Sequence, residues 1–322
     1  MLHMSLKRTK IFTGNANPHL AEAIAEHIRI KLGRAEVSKF NDSEIRVEIH
    51  EHIRGDDIFI IQPTCGQVND SIMELLIMAD AVRRSAVNRI TAVVPYYGYS
   101  RQDRRPNYTR TPITSRLVAD MLEAAGIDQI ITVDLHSTQQ QGFFTIPVIN
   151  VGATPEIVGD IWRTQVVDPK DVIIVSPDVG GVVRARAVAK QINNADLAII
   201  DKRRPQDGVS EVMNVVGDVE GKVCIVVDDM IDTAGTLCKG AGALKERGAK
   251  KIVAYATHGV LSGSASNNIQ KSVIDEVVVC NTIPVSPLMS KKVRQISVAK
   301  LLGETIRRLQ TGQSVSQIYT GE

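Results

Sequence analysis

The sequence predicts an α/β protein with two similar domains, each built on a mostly parallel sheet with helices on both faces. The first observation is length, because 322 residues at about 150 residues per domain suggest two domains. The second is composition, because 43% apolar residues can form a core in each half. The third is pattern, since continuous apolar strands that alternate with amphipathic helices are typical of a parallel sheet covered on both sides.

The first predicted elements are a strand and a helix. Lys10–Thr13 reads as the strand, and a turn follows it. Asn17 and Pro18 predict the start of the helix, with Asn17 as its cap and Pro18 in the first turn. We expect the helix to end at Gly33. Its apolar face repeats every four residues, at Leu20, Ile24, Ile28 and Leu32.

Strands and helices alternate along the rest of the chain. The further predicted strands are rich in Ile and Val and cover 45–49, 58–62, 90–95, 130–134, 172–176, 197–201, 223–227, 252–257 and 277–281. The further predicted helices lie between most of them, at 70–85, 115–125, 182–193 and 236–247. Segments 58–94 and 223–256 share one order of strand, turn, helix and strand. An internal duplication and the element order common to all βαβ units explain that likeness equally well.

A domain boundary is predicted near Asn150, Val151 and Gly152, where the apolar periodicity gives way to a stretch with Gly and Pro. We therefore expect one domain over 1–150 and a second over 151–322. The last ~15 residues could return to the first domain, as a chain end that is tied down by docking would.

Charge and cysteine content exclude several classes of protein. The 38 basic and 36 acidic residues give a net charge of +2, which argues against a protein that coats nucleic acid or anionic lipid. Aromatic residues make up only 4%, which disfavours a base-stacking platform. No two of the four cysteines form a CxxC pair, so a disulfide scaffold or structural zinc site is disfavoured. No apolar run approaches the ~18 residues of a membrane span, and we expect a cytoplasmic protein without a membrane partner.

The most informative segment runs from Val223 to Thr236. A buried strand is predicted to end in two adjacent carboxylates, Asp228 and Asp229, before a loop of small residues and a new helix. N–H groups at the helix start, with hydroxyls such as that of Thr233, suit a phosphate group. The carboxylates would repel that phosphate, so they should face sugar hydroxyls or Mg²⁺. We interpret the whole run as a sugar-phosphate site, although the Asp pair alone could simply cap the helix.

Two other strand ends carry polar residues. Asp178 precedes Gly180 and Gly181, so the turn could cradle an anion while Asp178 binds a metal, or could simply be tight. Asp134 and His136 are two apart on a predicted strand, so they share a face and can converge on one ligand. A lone histidine is, however, more often a surface or satisfied core residue than a ligand.

Two basic segments also follow apolar strands. Arg101, Arg104 and Arg105 lie in a polar loop, where guanidinium groups suit a polyphosphate. Lys202 and Arg204 end another strand and would point to the same side. Each segment could instead be a solvated charge run, and the net charge and aromatic content oppose nucleic acid as the ligand.

A last segment could bind a nucleobase. Phe40, Asp42 and Glu44 share one phase of a predicted strand, so the ring could stack on a base while a carboxylate accepts from its amino group. An amphipathic edge strand would look the same. The sequence has neither a GxGxxG fingerprint nor a P-loop, so any nucleoside triphosphate is not bound by a Walker site.

Through these residues, the sequence resembles the ribose-phosphate pyrophosphokinases, or phosphoribosyl-pyrophosphate synthetases, over essentially its whole length. Residues 227–236 resemble the phosphoribosyl-binding signature, which phosphoribosyltransferases share. Residues 99–105, 134–136 and 176–181 are more specific to the synthetases. The resemblance implies a phosphoribosyltransferase-like fold in each domain. It also implies transfer of the pyrophosphoryl group of ATP to the C1 hydroxyl of ribose 5-phosphate, which gives 5-phosphoribosyl 1-pyrophosphate and AMP for nucleotide biosynthesis.

The resemblance also implies residue roles. The catalytic residues, which match a mobile loop of the family, are Lys202 and Arg204. The residues that bind ATP are Phe40, Asp42, Ser43, Glu44, Arg101 and Gln102. The residues that bind ribose 5-phosphate are Arg204, Asp228, Asp229, Asp232, Thr233, Ala234, Gly235 and Thr236. The residues that match magnesium positions are His136 and Asp178.

Assembly and regulation are implied in the same way. In the family the adenine-binding segment comes from a neighbouring subunit, so we expect a homo-oligomer, a hexamer of dimers. Phosphate and ADP are the implied effectors, at positions that match Arg54, Ser137, Gln140, Ser314 and Ser316. Two other hypotheses are a phosphoribosyltransferase with a fused domain and a non-catalytic regulatory partner. Retention of Arg101, Gln102, His136 and Lys202 together disfavours the first. Intact Lys202 and Arg204 and the unbroken loop 232–236 disfavour the second.

Overall fold

The computed structural model of the protein describes residues 8–106, 108–165, 168–203 and 212–320. They fall into two compact units. The first comprises the described parts of Met1–Gly152, Thr282–Pro284 and Ser297–Glu322, and the second comprises those of Ala153–Asn281 and Val285–Ile296. Each unit has its own sheet and its own buried core. The predicted α/β fold with two largely parallel sheets is therefore confirmed.

The first unit begins with a strand and a helix and continues with alternating elements. Its strands are β1 (Thr9–Thr13), β2 (Ala35–Lys39), β3 (Ile45–Ile49), β4 (Asp57–Ile61), β5 (Arg89–Val94), β6 (Gln129–Val133) and β7 (Val148–Val151). Its helices are α1 (Pro18–His27), α2 (Val68–Arg84), α3 (Thr114–Ala124), α8 (Ala299–Thr311) and α9 (Gln317–Thr320), with a short 3-10 helix at Thr138–Phe143.

Five of these strands form one sheet in the order β1-β4-β5-β6-β7, with every neighbouring pair parallel. Ile60 on β4 and Ala92 on β5 are both fully buried and lie in register, as expected for strands covered on both faces. Strands β2 and β3 form a separate antiparallel hairpin. The carboxyl ends of the five parallel strands therefore share one edge of the first sheet.

The second unit contains the longer sheet. Its strands are β8 (Val172–Ser176), β9 (Asp196–Arg203), β10 (Val212–Val216), β11 (Val223–Ile231), β12 (Lys251–Gly259), β13 (Glu276–Cys280) and β14 (Val293–Ile296). Its helices are α4 (Thr154–Thr164), α5 (Val182–Gln191), α6 (Gly235–Glu246) and α7 (Ala265–Lys271), with a short 3-10 helix at Pro169–Asp171.

The sheet order is β10-β9-β8-β11-β12-β13-β14. All neighbouring pairs are parallel except β10 with β9. The central strands are almost wholly apolar and buried, for example Val223–Val227 on β11, because helices cover both faces. Strands β8 and β11, which carry predicted site residues at their carboxyl ends, are direct neighbours in this order.

The first helix is shorter than predicted. Asn17 caps it, since its side chain accepts a hydrogen bond from the N–H of Leu20 at 3.3 Å. The helix ends at His27, and Arg29 takes a left-handed conformation with φ 58°. Gly33 is therefore not a helix stop: a Cβ there would lie 2.4 Å from the Phe12 ring, so glycine permits close packing.

Several other boundaries differ from the predictions. Strand β11 continues to Ile231 because it pairs with β12 beyond the apolar run, so Asp228 lies within the strand rather than after it. Strands β2, β7, β10 and β14 and helices α4, α7, α8 and α9 were not predicted, since their sequences are short or mixed in polarity. Among the described residues, no helix is both long enough and apolar enough to cross a membrane.

Candidate active site

A pair of acidic side chains marks the carboxyl edge of the second sheet. The side chain of Asp229 is 8% exposed and that of Asp228 is 32% exposed. The guanidinium of Arg184, from the first turn of α5, faces both: its Nη1 lies 3.5 Å from Oδ1 of Asp228 and 3.6 Å from Oδ1 of Asp229. The N–H of Asp229 donates to Oδ1 of Asp228 at 2.9 Å. One cation thus faces both carboxylates at distances longer than a hydrogen bond.

This environment changes the acidity of Asp228. Burial raises the pKa of Asp228 to about 7, and the neighbouring carboxylate of Asp229 contributes to the increase. Arg184 and the Asp229 N–H act in the opposite direction but do not outweigh burial. A ligand that donates hydroxyl hydrogens to these oxygens would favour the charged form, so the pair suits a ligand with several hydroxyl groups.

The loop that follows β11 forms a small anion cradle. Ala234 is left-handed, with φ 58° and ψ 6°, and its carbonyl accepts from the N–H of Cys238 at 2.9 Å in the first turn of α6. A cavity of about 150 Å³ opens beside it, lined by Asp228, the residues from Asp232 to Leu237, Met230, Ile231 and Pro177. The start of a helix with two threonine hydroxyls beside it has the donors that a phosphate requires.

The neighbouring loop and helix contact this cradle from outside. The hydroxyl of Ser262, just after β12, donates to the carboxylate of Asp232. The side chain of Asn268 on α7 donates to the carbonyl of Thr233, with Nδ2 2.8 Å from the oxygen. The cradle is therefore bonded to a second element as well as to its own helix.

Asp178 lies after β8, in the turn before α5. Its Oδ1 accepts from the N–H of Gly181 at 2.9 Å, and its carbonyl accepts from the hydroxyl of Ser176 at 2.7 Å. Pro177 lines the same cavity as Asp228, so the ends of β8 and β11 meet there. The structure thus brings the turn of Asp178 to the edge that carries the cradle.

The predicted polyphosphate loop lies in the first unit. The amide of Gln102 donates to the carbonyl of Tyr99 at 2.8 Å, and its side-chain Oε1 accepts from Thr114 at 2.5 Å. Arg101 is exposed. A cavity of about 440 Å³ at this loop is lined by Asp103, Arg104, His136, Ser137, Gln139 and Phe143. His136 therefore shares a cavity with one arginine of the loop.

The spacing predicted that Asp134 and His136 share one face of a strand, and this prediction is wrong. β6 ends at Val133, and Asp134 has φ 41°, so strand alternation stops before these residues. Oδ1 of Asp134 faces Gly152, 3.6 Å from where a Cβ would stand. His136 lines the cavity described above, in the first unit, whereas Asp178 lies in the second.

The predicted base-binding segment forms the tip of the hairpin β2–β3. The carbonyl of Phe40 accepts from the N–H of Ser43, which is left-handed with φ 74°, and the N–H of Glu44 bonds Oδ1 of Asp42. These residues form a turn rather than the predicted alternating strand. The ring of Phe40 is exposed, which suits stacking on a flat partner.

Two predicted site residues fall at or beyond the end of the described strand. Lys202 lies in β9, in register with Met213 of β10, and only its backbone is described. Arg204 lies outside the described residues. Within residues 8–106, 108–165, 168–203 and 212–320, no three His, Cys, Asp or Glu side chains are grouped as a metal site.

The predicted effector positions differ in exposure. Arg54 is exposed, and the hydroxyls of Ser314 and Ser316 lie 2.7 Å apart near the end of the first unit's chain. Gln140 is fully buried, and its Nε2 donates to the carbonyl of Ser100 at 2.6 Å. Gln140 thus contacts the polyphosphate loop rather than the surface.

Sequence reasoning did not identify Arg184, Ser262 or Asn268. A possible signal for Arg184 is its place in the first turn of a helix, where a cation opposes the helix dipole unless an acid faces it. Ser262 and Asn268 are brought to the cradle by the packing of α7, and no local pattern predicts that contact.

Comparisons with known proteins give a consistent result. A family profile described as the N-terminal domain of ribose phosphate pyrophosphokinase matches residues 9–126, and one described as the phosphoribosyl synthetase-associated domain matches residues 189–320. A ribose-phosphate pyrophosphokinase of Neisseria meningitidis is 55% identical, over 97% of this chain and 95% of its own. One of Chromobacterium violaceum is 57% identical over the same shares. The crystal structure of phosphoribosylpyrophosphate synthetase from Mycobacterium smegmatis is 40% identical with a TM-score of 0.88, over 95% of this chain and 99% of that one.

Proposed function

The chain belongs to the ribose-phosphate pyrophosphokinase family, and we propose on that premise how its own residues bind the substrates and support the reaction. The enzyme transfers the pyrophosphoryl group of ATP to the C1 hydroxyl of ribose 5-phosphate, which gives 5-phosphoribosyl 1-pyrophosphate and AMP. The predicted activity is therefore confirmed, and the phosphoribosyltransferase and non-catalytic hypotheses are set aside.

Ribose 5-phosphate binds to the second unit. The loop from Asp232 to Thr236 holds the 5-phosphate, because helix N–H groups and the hydroxyls of Thr233 and Thr236 are its donors. Asp228 and Asp229 accept hydrogen bonds from the ribose hydroxyls, and Arg184 keeps this pair oriented. The observation that carries the proposal is that one cavity is lined first by the acceptor Asp228 and then, further along the chain, by the anion donors of residues 232–236.

ATP binds to residues of the first unit. Arg101 and Gln102 contact the phosphates from their loop, and Gln102 is held there by its bond from Thr114. Phe40 stacks on adenine, with Asp42, Ser43 and Glu44 beside it as possible acceptors and donors. Because these four residues form a hairpin tip outside the five-stranded sheet, they can reach a neighbouring subunit's site. A homohexamer built of dimers is the assembly we propose.

We propose Asp178, in the second unit, and His136, in the first, each as a position that would bind Mg²⁺, and the donor chemistry of each fits. Mg²⁺ prefers oxygen ligands and retains several waters, so one carboxylate with substrate phosphates is a sufficient set. Oδ1 of Asp178 already accepts from Gly181, while its Oδ2 has no hydrogen bond from the described residues and can serve as a ligand. His136 lines the cavity of the polyphosphate loop, where it can contact the ion or its water. When bound, Mg²⁺ would supply positive charge beside the ATP phosphates.

The reaction needs positioning and charge more than covalent help from the protein. The C1 hydroxyl oxygen attacks the β-phosphorus in line, and the bond from that phosphorus to the oxygen of AMP breaks. The transition state is loose and negative, so Lys202, Arg204 and Arg101 stabilise it by their charge. The Asp pair and the cradle hold ribose 5-phosphate at both ends, so that its C1 hydroxyl is oriented before it meets the β-phosphorus of ATP.

The test is a direct product analysis. Protein, ATP, Mg²⁺ and ribose 5-phosphate are incubated, and phosphorus NMR follows the products. We expect AMP and a sugar pyrophosphate in equal amounts, and we expect Lys202→Ala to lower turnover about a hundredfold without unfolding. ADP as the product would contradict pyrophosphoryl transfer, and near-normal turnover of the variant would remove Lys202 from the mechanism.

Regulation by phosphate and ADP is part of the proposal. The exposed Ser314 and Ser316 hydroxyls and Arg54 suit an anion, and Arg308 orders the segment through a bond to the Ser314 carbonyl at 2.8 Å. A turnover rate that does not respond to inorganic phosphate would argue against this part alone.

A further inference from the structure

We infer that Ser262 and Asn268 are positioning residues that hold the loop of Asp232, Thr233 and Ala234 in its anion-binding shape before any ligand arrives. This inference rests on the proposed function, because it concerns the grip on the 5-phosphate of ribose 5-phosphate. The two residues lie outside the cradle, after β12 and on α7, and neither lines its cavity.

The contacts form a row along the loop. The carbonyl of Ile231 accepts from the N–H of Leu261 at 3.0 Å, the carboxylate of Asp232 accepts from the hydroxyl of Ser262, and the carbonyl of Thr233 accepts from Nδ2 of Asn268 at 2.8 Å. Each successive residue of the loop thus has a partner in the segment that follows β12.

The bond to Thr233 sets the direction of a peptide group. In a planar trans peptide the C=O and the next N–H point in opposite directions. Because Asn268 holds the Thr233 carbonyl on the α7 side, the N–H of Ala234 faces away from α7. A left-handed Ala234 then directs its own carbonyl into the first turn of α6. Asn268 therefore leaves an amide donor available to an anion instead of a carbonyl.

The bond to Asp232 has an electrostatic role. A carboxylate inside a phosphate cradle would oppose a dianionic ligand, since like charges a few ångströms apart repel. The Ser262 hydroxyl fixes this carboxylate through a donated hydrogen bond on the side of the β12 loop. This bond occupies one oxygen of the Asp232 carboxylate with a donor from outside the cavity lining.

The helix that carries Asn268 is firmly packed. Ala265 and Ile269 of α7 are fully buried in the core of the second unit. Nδ2 of Asn268 also donates to the hydroxyl of Ser264 at 3.1 Å, which fixes the amide's orientation. A rigid element with an oriented side chain is what precise positioning of a binding loop requires.

The experiment compares steady-state kinetics of Asn268→Ala and Ser262→Ala with those of the wild type. We expect the KM for ribose 5-phosphate to rise about tenfold in each, the effect of one lost hydrogen bond, while the KM for ATP stays unchanged. We expect Ser262→Thr, which keeps the hydroxyl, to restore the wild-type KM. Asn267→Ala is the matched control, because Asn267 lies on the same helix but is exposed, and its side chain has no hydrogen bond to the described residues.

A direct binding measurement separates the affinity for ribose 5-phosphate from turnover. Calorimetry with ribose 5-phosphate should show the same loss of affinity in the two alanine variants. A KM within about twofold of wild type for both alanine variants would overturn the inference, as would a parallel rise in the KM for both substrates. Ser262 lies on an exposed loop, so its Ala and Thr variants decide the matter if Asn268→Ala fails to fold. A wild type that forms no sugar pyrophosphate would instead contradict the proposed function.

Discussion

Two carboxylates of the second unit, those of Asp160 and Asp228, differ in exposure and in their hydrogen-bond partners. Asp160 on α4 is 1% exposed and receives hydrogen bonds from Nη2 of Arg294 at 2.5 Å, from Oη of Tyr255 at 2.8 Å and from Nη2 of Arg163 at 2.6 Å. Asp228 accepts a hydrogen bond from the backbone N–H of Asp229, and the guanidinium of Arg184 lies 3.5 Å from its Oδ1.

The difference appears in acidity. Burial acts to raise the pKa of Asp160, but the bonds from Arg294 and Tyr255 outweigh it, so the pKa lies below its ordinary value. Burial prevails at Asp228 and raises its pKa to about 7. A carboxylate that stabilises a fold is saturated by the protein, whereas one that binds a ligand keeps acceptor sites open.

The largest expected effect is on stability, from Asp160→Asn. The substitution leaves Arg294 and Arg163 without their charged acceptor, and we expect the free energy of unfolding to fall by about 3 kcal/mol. Urea denaturation measures the change. Asp171→Asn, at an exposed position of the same unit, is the control and should change nothing. Turnover of the folded Asp160→Asn protein should match wild type; a large loss would place Asp160 in the site.

The next effect is on activity, from Asp228→Asn. We expect kcat/KM for ribose 5-phosphate to fall about a hundredfold, because one acceptor of the ribose hydroxyls becomes an amide. The free energy of unfolding at pH 8 should stay equal or rise, since a buried carboxylate with a raised pKa opposes folding when charged. A loss of stability like that of Asp160→Asn would erase the contrast between the two residues.

A third effect concerns the pH profile. Because the charged form of Asp228 accepts the ribose hydroxyls, kcat/KM for ribose 5-phosphate should fall about tenfold per pH unit below about 7. Arg184→Gln removes a cation that lowers the pKa of Asp228, so the transition should move to higher pH. The phosphate group of ribose 5-phosphate itself ionises at about pH 6. The pH profile of Asp228→Asn, which lacks the carboxylate, shows the effect of that phosphate ionisation alone. If the pH transition of kcat/KM stays at the same pH in Arg184→Gln, Arg184 does not influence the ionisation of the Asp pair.

The smallest effect is the acid dependence of stability. A carboxyl group whose pKa is lowered by folding stabilises the protein above the unfolded pKa, and this contribution is lost as pH falls through the folded pKa. The difference in unfolding free energy between wild type and Asp160→Asn should therefore shrink below pH 3.8, the ordinary value for Asp. A difference that stays constant at lower pH would mean that the charge of Asp160 is not what stabilises the fold.

The sequence predicts elements whose cause is local. Strand β8 has the predicted bounds because four apolar residues and Ser176 lie between a polar turn and a proline. The edge strand β14 has two adjacent polar residues between its apolar ends, Val293 and Ile296, so its pairing with β13 defines it rather than its own pattern. Helix α1 was overextended because Ile28 and Leu32 continue the spacing, although Arg29 has already left the helix.

The site follows the same division. Asp178, Asp228 and Asp229 could be placed at one edge, because parallel strands end together. The hairpin of Phe40 was misread as a strand, since a turn at Ser43 interrupts the alternation. The contact between Arg184 and the Asp pair depends on how α5 packs, and no spacing along the chain encodes that angle.

The left-handed backbone at Ala234 has a consequence for design. A side chain in this region costs about 1 kcal/mol, and glycine would relieve it. Glycine would also let the unliganded segment sample many more shapes, so that capture of the sugar phosphate would have to restrict them. Glycine at this position would therefore relieve backbone strain but weaken the binding of the sugar phosphate. Ala234 is thus a poor target for substitutions that aim to raise stability.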